Sequence, residues 1–451
     1  MSFSSLNIGA SALYAAQRAV EVASNNVANA DTEGYTRQRV TLTASMPTYG
    51  TPGMRGDGDR STGVTVVDVS RLRDRLADVS YRSEAAVSGA ATARSDTLAR
   101  ATSVLGTFAN GAPETLSKFL SAWDQLSTTP DDTSSRASVM NTGQQLADGL
   151  TTASSKLDDL SNEVSLRLGD STKELNGLLS SVANLNDQIS QAQGENRQPN
   201  DLQDQRDIAL DRIATLTGAK IDPQADGSVT ISSGSTVLVQ GKNAQAVAPS
   251  STSPMSIVLA DGTPLPVAGE MGGYVSTLAA DIPSYRSQLD AIAVALRDTV
   301  NAAHSQGTGT DGSSGVAFFT GTGAADLRVN PALTTAQVAA SESGAAADGN
   351  NALAIAAALR TSTPLNGQSV SNALSGFGAR IGQASADATR NATTATASLS
   401  SAQVARASAD GVSVDEEMVD LLKFQHSYQA ASKVISIADA MLDTLINQMV
   451  R

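Results

Sequence analysis

The sequence predicts a mainly α, elongated, multi-domain chain. Its two termini pair as coiled-coil-like helices, and between them lie a long helical-bundle body with short strands and a small β-rich inserted domain. Three observations predict this. Apolar residues recur every three or four positions at both ends of the chain, at a mean spacing close to that of a coiled coil. Residues 133–193 are nearly free of proline, poor in glycine, and carry Leu146, Leu150, Leu157, Leu160, Val164, Leu168, Leu175, Leu178, Leu179, Val182, Leu185 and Ile189 at helical spacing. Composition is 41% hydrophobic but only 3% aromatic, so packing rests on Ala, Leu, Val and Ile, which suits close-packed helices.

At the N-terminus the apolar stripe runs Leu6, Ala10, Leu13, Ala16, Val20, Ala23, Val27, and it breaks at Ala30–Tyr35, where Gly34 can supply positive φ. Asn25, Asn26 and Asn29 cluster near its end. Amides on an apolar stripe cost stability unless their hydrogen bonds are met, and their best use is to fix register against particular neighbours. Thr36–Leu42 alternates like a strand, Met46–Gly63 reads as loop, and Gly63–Val69 reads as a second strand. Gly56-Asp57-Gly58-Asp59 lacks EF-hand spacing and a closing glutamate, so it is expected to be a solvated turn. Arg71, Arg73 and Arg75 form a basic cluster, expected to be ion-paired or solvated because the chain is acidic and nothing aromatic interleaves it. A helix is expected from Leu72 to Phe108 and another from Pro113 to Ser127, the latter carrying Trp123 as a core anchor.

After the long 133–193 run, helix resumes over 201–216 and closes at Gly218. Residues 221–271 change character: Val229–Ile231, Val237–Val239 and Ile257–Leu259 are separated by Asp226-Gly227, Ser233-Gly234 and Asp261-Gly262, which are hairpin signals. Helix is expected again from Tyr274 through Leu289, Ile292, Leu296 and Val300, with a kink at Pro283. Gly307, Gly309 and Gly312 follow a helix rather than a strand, which argues against a dinucleotide loop. Asp326–Val329 reads as a strand, Asn351–Arg360 and Val370–Ala409 as helices, and Gly411 as a joint. The last helix places Val414, Met418, Leu421, Gln425, Tyr428, Ala431, Ile435, Ala438, Leu442, Leu445 and Met449 on one seam, with Asp415, Glu416 and Glu417 in its first turn. The expected domains are 1–35 with 410–451, 36–220 with 272–409, and the insertion 221–271.

The 451 residues carry a formal net charge of -14, which opposes binding to nucleic acid or to an anionic membrane surface. With no cysteine there is no disulfide, thiolate nucleophile or thiolate metal site. No apolar run is long enough to insert in a membrane, and no basic start with an apolar core marks a cleaved secretory signal. His304 and His426 accompany no nucleophile motif, so no catalytic, metal or cofactor site is expected.

Ser11–Tyr35, with its Asn25-Asn26-x-x-Asn29 cluster, resembles the N-terminal motif of the bacterial flagellar rod and hook axial protein family. Glu416-Glu417-Met418, Phe424-Gln425, Ser427–Ala431, Val434-Ile435 and Met441–Asn447 resemble that family's C-terminal motif. Inside the chain, Tyr35–Val40, Pro199–Leu210, Gly272–Val275, Asn301–Gly307 and Leu327–Leu333 resemble the hook-associated members of the hook–filament junction. The resemblance implies an axial structural subunit rather than an enzyme. It implies self-association into a ring, with hook protein and hook-associated protein 3 as neighbours. It further implies an export chaperone and exit through the type III export apparatus to the extracellular flagellum, which accounts for the missing signal. The assembly interface it implies comprises Leu6, Leu13, Val20, Asn25, Asn26, Val27, Asn29, Gly34 and Tyr35 with Met418, Leu421, Gln425, Tyr428, Ile435, Leu442, Leu445 and Met449. The alternatives are another rod or hook protein, a rod-associated peptidoglycan hydrolase, or a cytoplasmic helical signalling protein.

Overall fold

The computed structural model describes residues 2–45, 63–195, 197–252 and 254–449, with side chains described from 5 to 444 within those ranges. The Gly56–Asp59 turn lies outside them. Helix α1 (Ser2–Ala28) ends at the 29–34 turn, where Gly34 sits at φ 78°. Strand β1 (Gln38–Ala44) pairs antiparallel with β2 (Val64–Arg71). Helix α2 (Arg75–Thr128) starts beneath Asp74, whose carboxylate accepts the Leu76 and Ala77 amides at 2.8 and 3.3 Å.

α2 runs through Pro113 without a break, where the sequence predicts two helices. Proline removes one backbone bond, at about 3 kcal/mol in a helix interior. Leu105, Ala109, Ala112, Leu116 and Phe119 nonetheless keep a continuous buried stripe across it, and each large side chain buried returns about 1.5–3 kcal/mol. Helix α3 (Thr133–Gly194) is capped by Asp132, which accepts the Ser134 and Ser135 amides. Helix α4 (Asn200–Thr217) closes at Gly218 in the left-handed region, its N–H donating to Ala214 O at 2.7 Å.

Strands β3 (Lys220–Pro223), β4 (Val229–Ser233), β5 (Thr236–Gln240) and β6 (Asn243–Ala244) form one antiparallel sheet in that order. Strands β7 (Val247–Pro249), β8 (Ile257–Leu259) and β9 (Pro264–Leu265) form another. The stretch predicted as one β-rich insertion thus folds as two sheets. Each closes on its own tight turn, at Gly234 and Gly262 with φ 58° and 84°, and each buries its own apolar set, Ile231, Leu238 and Val239 in one, Ile257 and Leu265 in the other.

Helix α5 (Gly269–Ser276) passes through a π segment (Thr277–Asp281) into α6 (Ile282–His304), so the departure from regular α-helix falls just before Pro283, which sits in the first turn of α6. Short strands β10 (Phe319–Thr320) and β11 (Arg328–Val329) pair. Helices α7 (Asn350–Thr361), α8 (Val370–Asp410) and α9 (Val414–Met449) complete the chain, with the break between the last two at Gly411.

The chain divides into two compact units. One comprises Met1–Ala85, Asn176–Ala246 and Ala397–Arg451. The other comprises Ala86–Leu175 and Val247–Thr396, and its core is aromatic: Trp123 and Phe318 are fully buried with centroids 5.5 Å apart, and Phe119, Phe319 and His304 surround them. No described helix is long and apolar enough to cross a membrane.

Candidate assembly interface

α1 and α9 pack as an antiparallel pair: Gly9 approaches Ile435 at one end, and Asn26 meets Glu417 at the other. The face α1 buries consists of small residues, Ala15, Ala16, Ala19 and Ala23 with Val22 and Asn26, which lets the helices approach closely. Leu6, Leu13, Val20 and Val27 flank that face, half-buried, one step round from where the stripe places them. On α9 the side toward α1 carries Glu417, Ala431 and Ala438 buried and Leu421, Phe424, Ile435 and Leu442 half-buried, a heptad spacing interrupted where Tyr428 is exposed. Met418, Gln425 and Tyr428, assigned to the seam from sequence, are exposed. Leu421, Ala431, Ile435, Ala438 and Leu442 lie on the side where the sequence places them, and Glu417 and Phe424 join them from outside the expected seam. The side chains of Leu445 and Met449 lie outside the described residues.

Glu417 is buried because three groups meet there. Arg37 donates from Nε to Glu417 Oε1 at 2.7 Å and from a terminal nitrogen to Glu416 at 2.9 Å. Asn26 Nδ2 donates to Glu417 Oε2 at 2.9 Å and to the Gln38 carbonyl at 2.8 Å. Its Oδ1 accepts the Gln38 amide at 3.0 Å and the Tyr35 hydroxyl at 2.8 Å. An amide side chain has two donors and two acceptor lone pairs, so Asn26 is saturated. Burial, then the charges of Asp204, Asp201 and Glu417, push the Tyr35 phenol up to about 12, which keeps it a donor. Asn25 and Asn29 instead bond each other at 2.6 Å on the outer side of the helix end. Gly34 is required twice over, by its positive φ and because a Cβ there would overlap Ile208.

Beneath this junction lies a charge network. Arg71 bonds Asp204 and Asp207 at 2.7 Å each, and Arg73 bonds Asp78 at 2.6 Å and Asp207 at 2.7 Å. Arg82 bonds Asp211 at 2.6 Å, and Arg406 bonds Asp211 at 2.7 Å and Asp78 at 3.0 Å while covering the Tyr81 ring. Burial opposes every one of these charges, but pairing offsets it. At Arg73 burial is the largest single effect and lowers the pKa, but the Asp78 bond and the charges of Asp207, Asp78 and Asp211 together outweigh it and raise the pKa; at Asp207 the flanking Arg73 and Arg71 overcome burial and hold the carboxyl below its usual range. The Arg71–Arg75 cluster is thus ion-paired through Arg71 and Arg73, whereas Arg75 is exposed. The segment 199–210 supplies two of the four acids, Asp204 and Asp207, and its Asn200 also donates to the Val69 carbonyl at 2.8 Å. Sequence reasoning missed Glu417 as the partner of both Asn26 and Arg37, since pairing across almost the whole chain leaves no local signal.

Residues 6–36 match the family described as flagella basal body rod protein, and 407–449 match the flagellar basal body rod FlgEFG protein C-terminal segment. Residues 98–319 match the flagellar hook-associated protein FlgK helical domain. Flagellar hook-associated protein 1 of Bacillus subtilis (strain 168) is 30% identical over 499 residues, covering 99% of this chain and 98% of that protein. The chain belongs to the flagellar hook-associated protein 1 family. Its relative in Salmonella typhimurium is 30% identical over 330 residues, covering 70% of this chain and 59% of that protein. Among solved structures, the flagellar hook junction protein FlgK from Burkholderia pseudomallei has the same fold, with a TM-score of 0.67 at 16% identity, covering 72% of this chain and 99% of that chain.

In this flagellar hook-associated protein 1 family member, α9 has a second apolar side. Val419, Leu422, Ile437 and Met441, all between 49% and 66% exposed, lie on one stripe facing away from α1, while Val434 at its margin reaches back toward Gly9. No group of acids and histidines suited to a metal occurs among the described residues.

Proposed function

We propose that the chain is a structural subunit of the bacterial flagellum that forms the junction between hook and filament, and that its paired terminal helices pack against those of neighbouring copies in a ring. The observation that carries this reading is the bare apolar stripe on α9, opposite the face that binds α1. A helix apolar on two sides is made for two partners. Each Leu, Ile or Met covered on assembly contributes about 1.5–3 kcal/mol, repeated in every subunit. Residues 1–35 with 410–451 act as the inner, assembling domain, held in register by Asn26, Arg37 and Glu417. Hook protein lies on one side of the ring and hook-associated protein 3 on the other. Before assembly the subunit passes through the type III export apparatus with a chaperone, and it ends outside the cell. The role is mechanical, without a cofactor. Electron microscopy of a strain lacking the gene tests it: hooks without filaments, with unassembled filament protein in the medium, are expected. Normal filaments would overturn it.

A further inference from the structure

Three Asn-Gly pairs occur in the sequence, at Asn110, Asn176 and Asn366. Asn110-Gly111 lies within α2 and Asn176-Gly177 within α3, where a glycine N–H is held by the carbonyl four residues back. Asn366-Gly367 lies in the exposed turn between α7 and α8. Asn366 is the non-glycine residue with positive φ, at 51°, among the described residues, and Gly367 follows at 84°. The turn is closed by Gln368 N–H to Leu365 O at 3.0 Å and Leu365 N–H to Gln368 O at 3.3 Å, which leaves the Gly367 N–H and the Asn366 amide unbonded among the described residues. Nothing lies within 4 Å of where a Gly367 Cβ would sit.

From these observations we infer that Asn366 is a site of spontaneous deamidation. The backbone nitrogen of Gly367 attacks Cγ of Asn366. The N–Cγ bond forms, the Cγ–Nδ2 bond breaks, and the amide leaves as ammonia with the proton from Gly367, giving a succinimide. Water then opens the ring at Cγ to give aspartate, or at the main-chain carbonyl to give isoaspartate, with no change of oxidation state. The reaction needs a glycine nitrogen that is free and unshielded, and a turn closed by two hydrogen bonds opens locally far more readily than a packed helix. Exposure is not the discriminator, because Asn110 is exposed too. Conformation is. The new carboxylate stands just before Ser369, whose hydroxyl accepts the Asn372 amide at the start of α8, and negative charge is favoured at that end of a helix.

The test is peptide mapping by mass spectrometry of the folded, full-length protein held at mildly alkaline pH. Isoaspartyl-specific methyltransferase labelling then distinguishes the two products. Asn366 should convert more than about tenfold faster than Asn110 and Asn176, a ratio set by the cost of opening a helix turn. In denaturant the three should converge. Equal rates in the folded protein, or conversion at a helical site first, would overturn the inference.

Discussion

His304 is held neutral by its surroundings. Its Nδ1–H donates to the Val316 carbonyl at 2.7 Å, its Nε2 accepts the Ala339 amide at 2.9 Å, and the ring is packed against Trp123 and Phe318. Burial lowers its pKa from 6.5 to about 4, with Arg136 adding to the effect and the Val316 bond opposing it. A depressed histidine pKa means that the unfolded chain binds the proton first as pH falls. The stability this group contributes is therefore present above pH ~6.5 and is lost as pH falls toward 4, by about 3 kcal/mol in all. Denaturant unfolding of wild type and of His304→Gln at a series of pH values should differ by up to one proton in slope across that interval. Parallel slopes would mean that His304 titrates normally. His426, the other histidine, is exposed on α9.

At the scale of elements, the α1–α9 pair is aligned by one saturated amide rather than by leucine packing. Asn26→Leu would leave the Tyr35 hydroxyl, both Gln38 backbone groups and one Glu417 oxygen short of a partner, at about 1–3 kcal/mol for each group that stays buried. It should therefore cost at least about 3 kcal/mol and speed amide exchange along both helices. Asn25→Ala, one residue away on the outer side, should change stability by no more than about 0.5 kcal/mol. Equal effects would remove Asn26 from its place as the register residue.

The elements themselves were largely legible. Proline-free amphipathic periodicity located α3, Gly218 ended α4, Gly411 parted α8 from α9, and matched stripes predicted the antiparallel terminal pair. What stayed hidden depends on long-range partners. A glutamate in a seam looks like an interruption until Arg37 and Asn26 are known to face it, and Pro113 looks like a helix end until the stripe on either side is seen to be buried. The division of 221–271 into two sheets was not legible because hairpin signals specify turns, not which hairpins join.

At the scale of the whole molecule, a chain of net charge -14 gathers Arg71, Arg73, Arg82 and Arg406 around Asp78, Asp204, Asp207 and Asp211, a balanced set beneath the terminal pair. Such pairs are costly to break singly, which suits a mount for helices proposed to join one copy to the next. The outer stripe of α9 is the surface through which copies are proposed to join. Leu422 and Ile437 are about half-exposed in the free subunit, at 52% and 49%, so changing both to Asp leaves the α1–α9 seam untouched and should alter the melting temperature little. Joined to a neighbour, the same carboxylates would be buried without partners, at a cost of several kcal/mol. The decisive measurement is filament assembly by electron microscopy in a strain carrying only the Leu422→Asp, Ile437→Asp protein, with export scored separately in the medium. A folded, exported subunit and bare hooks are expected. Full-length filaments on that strain would contradict the proposal.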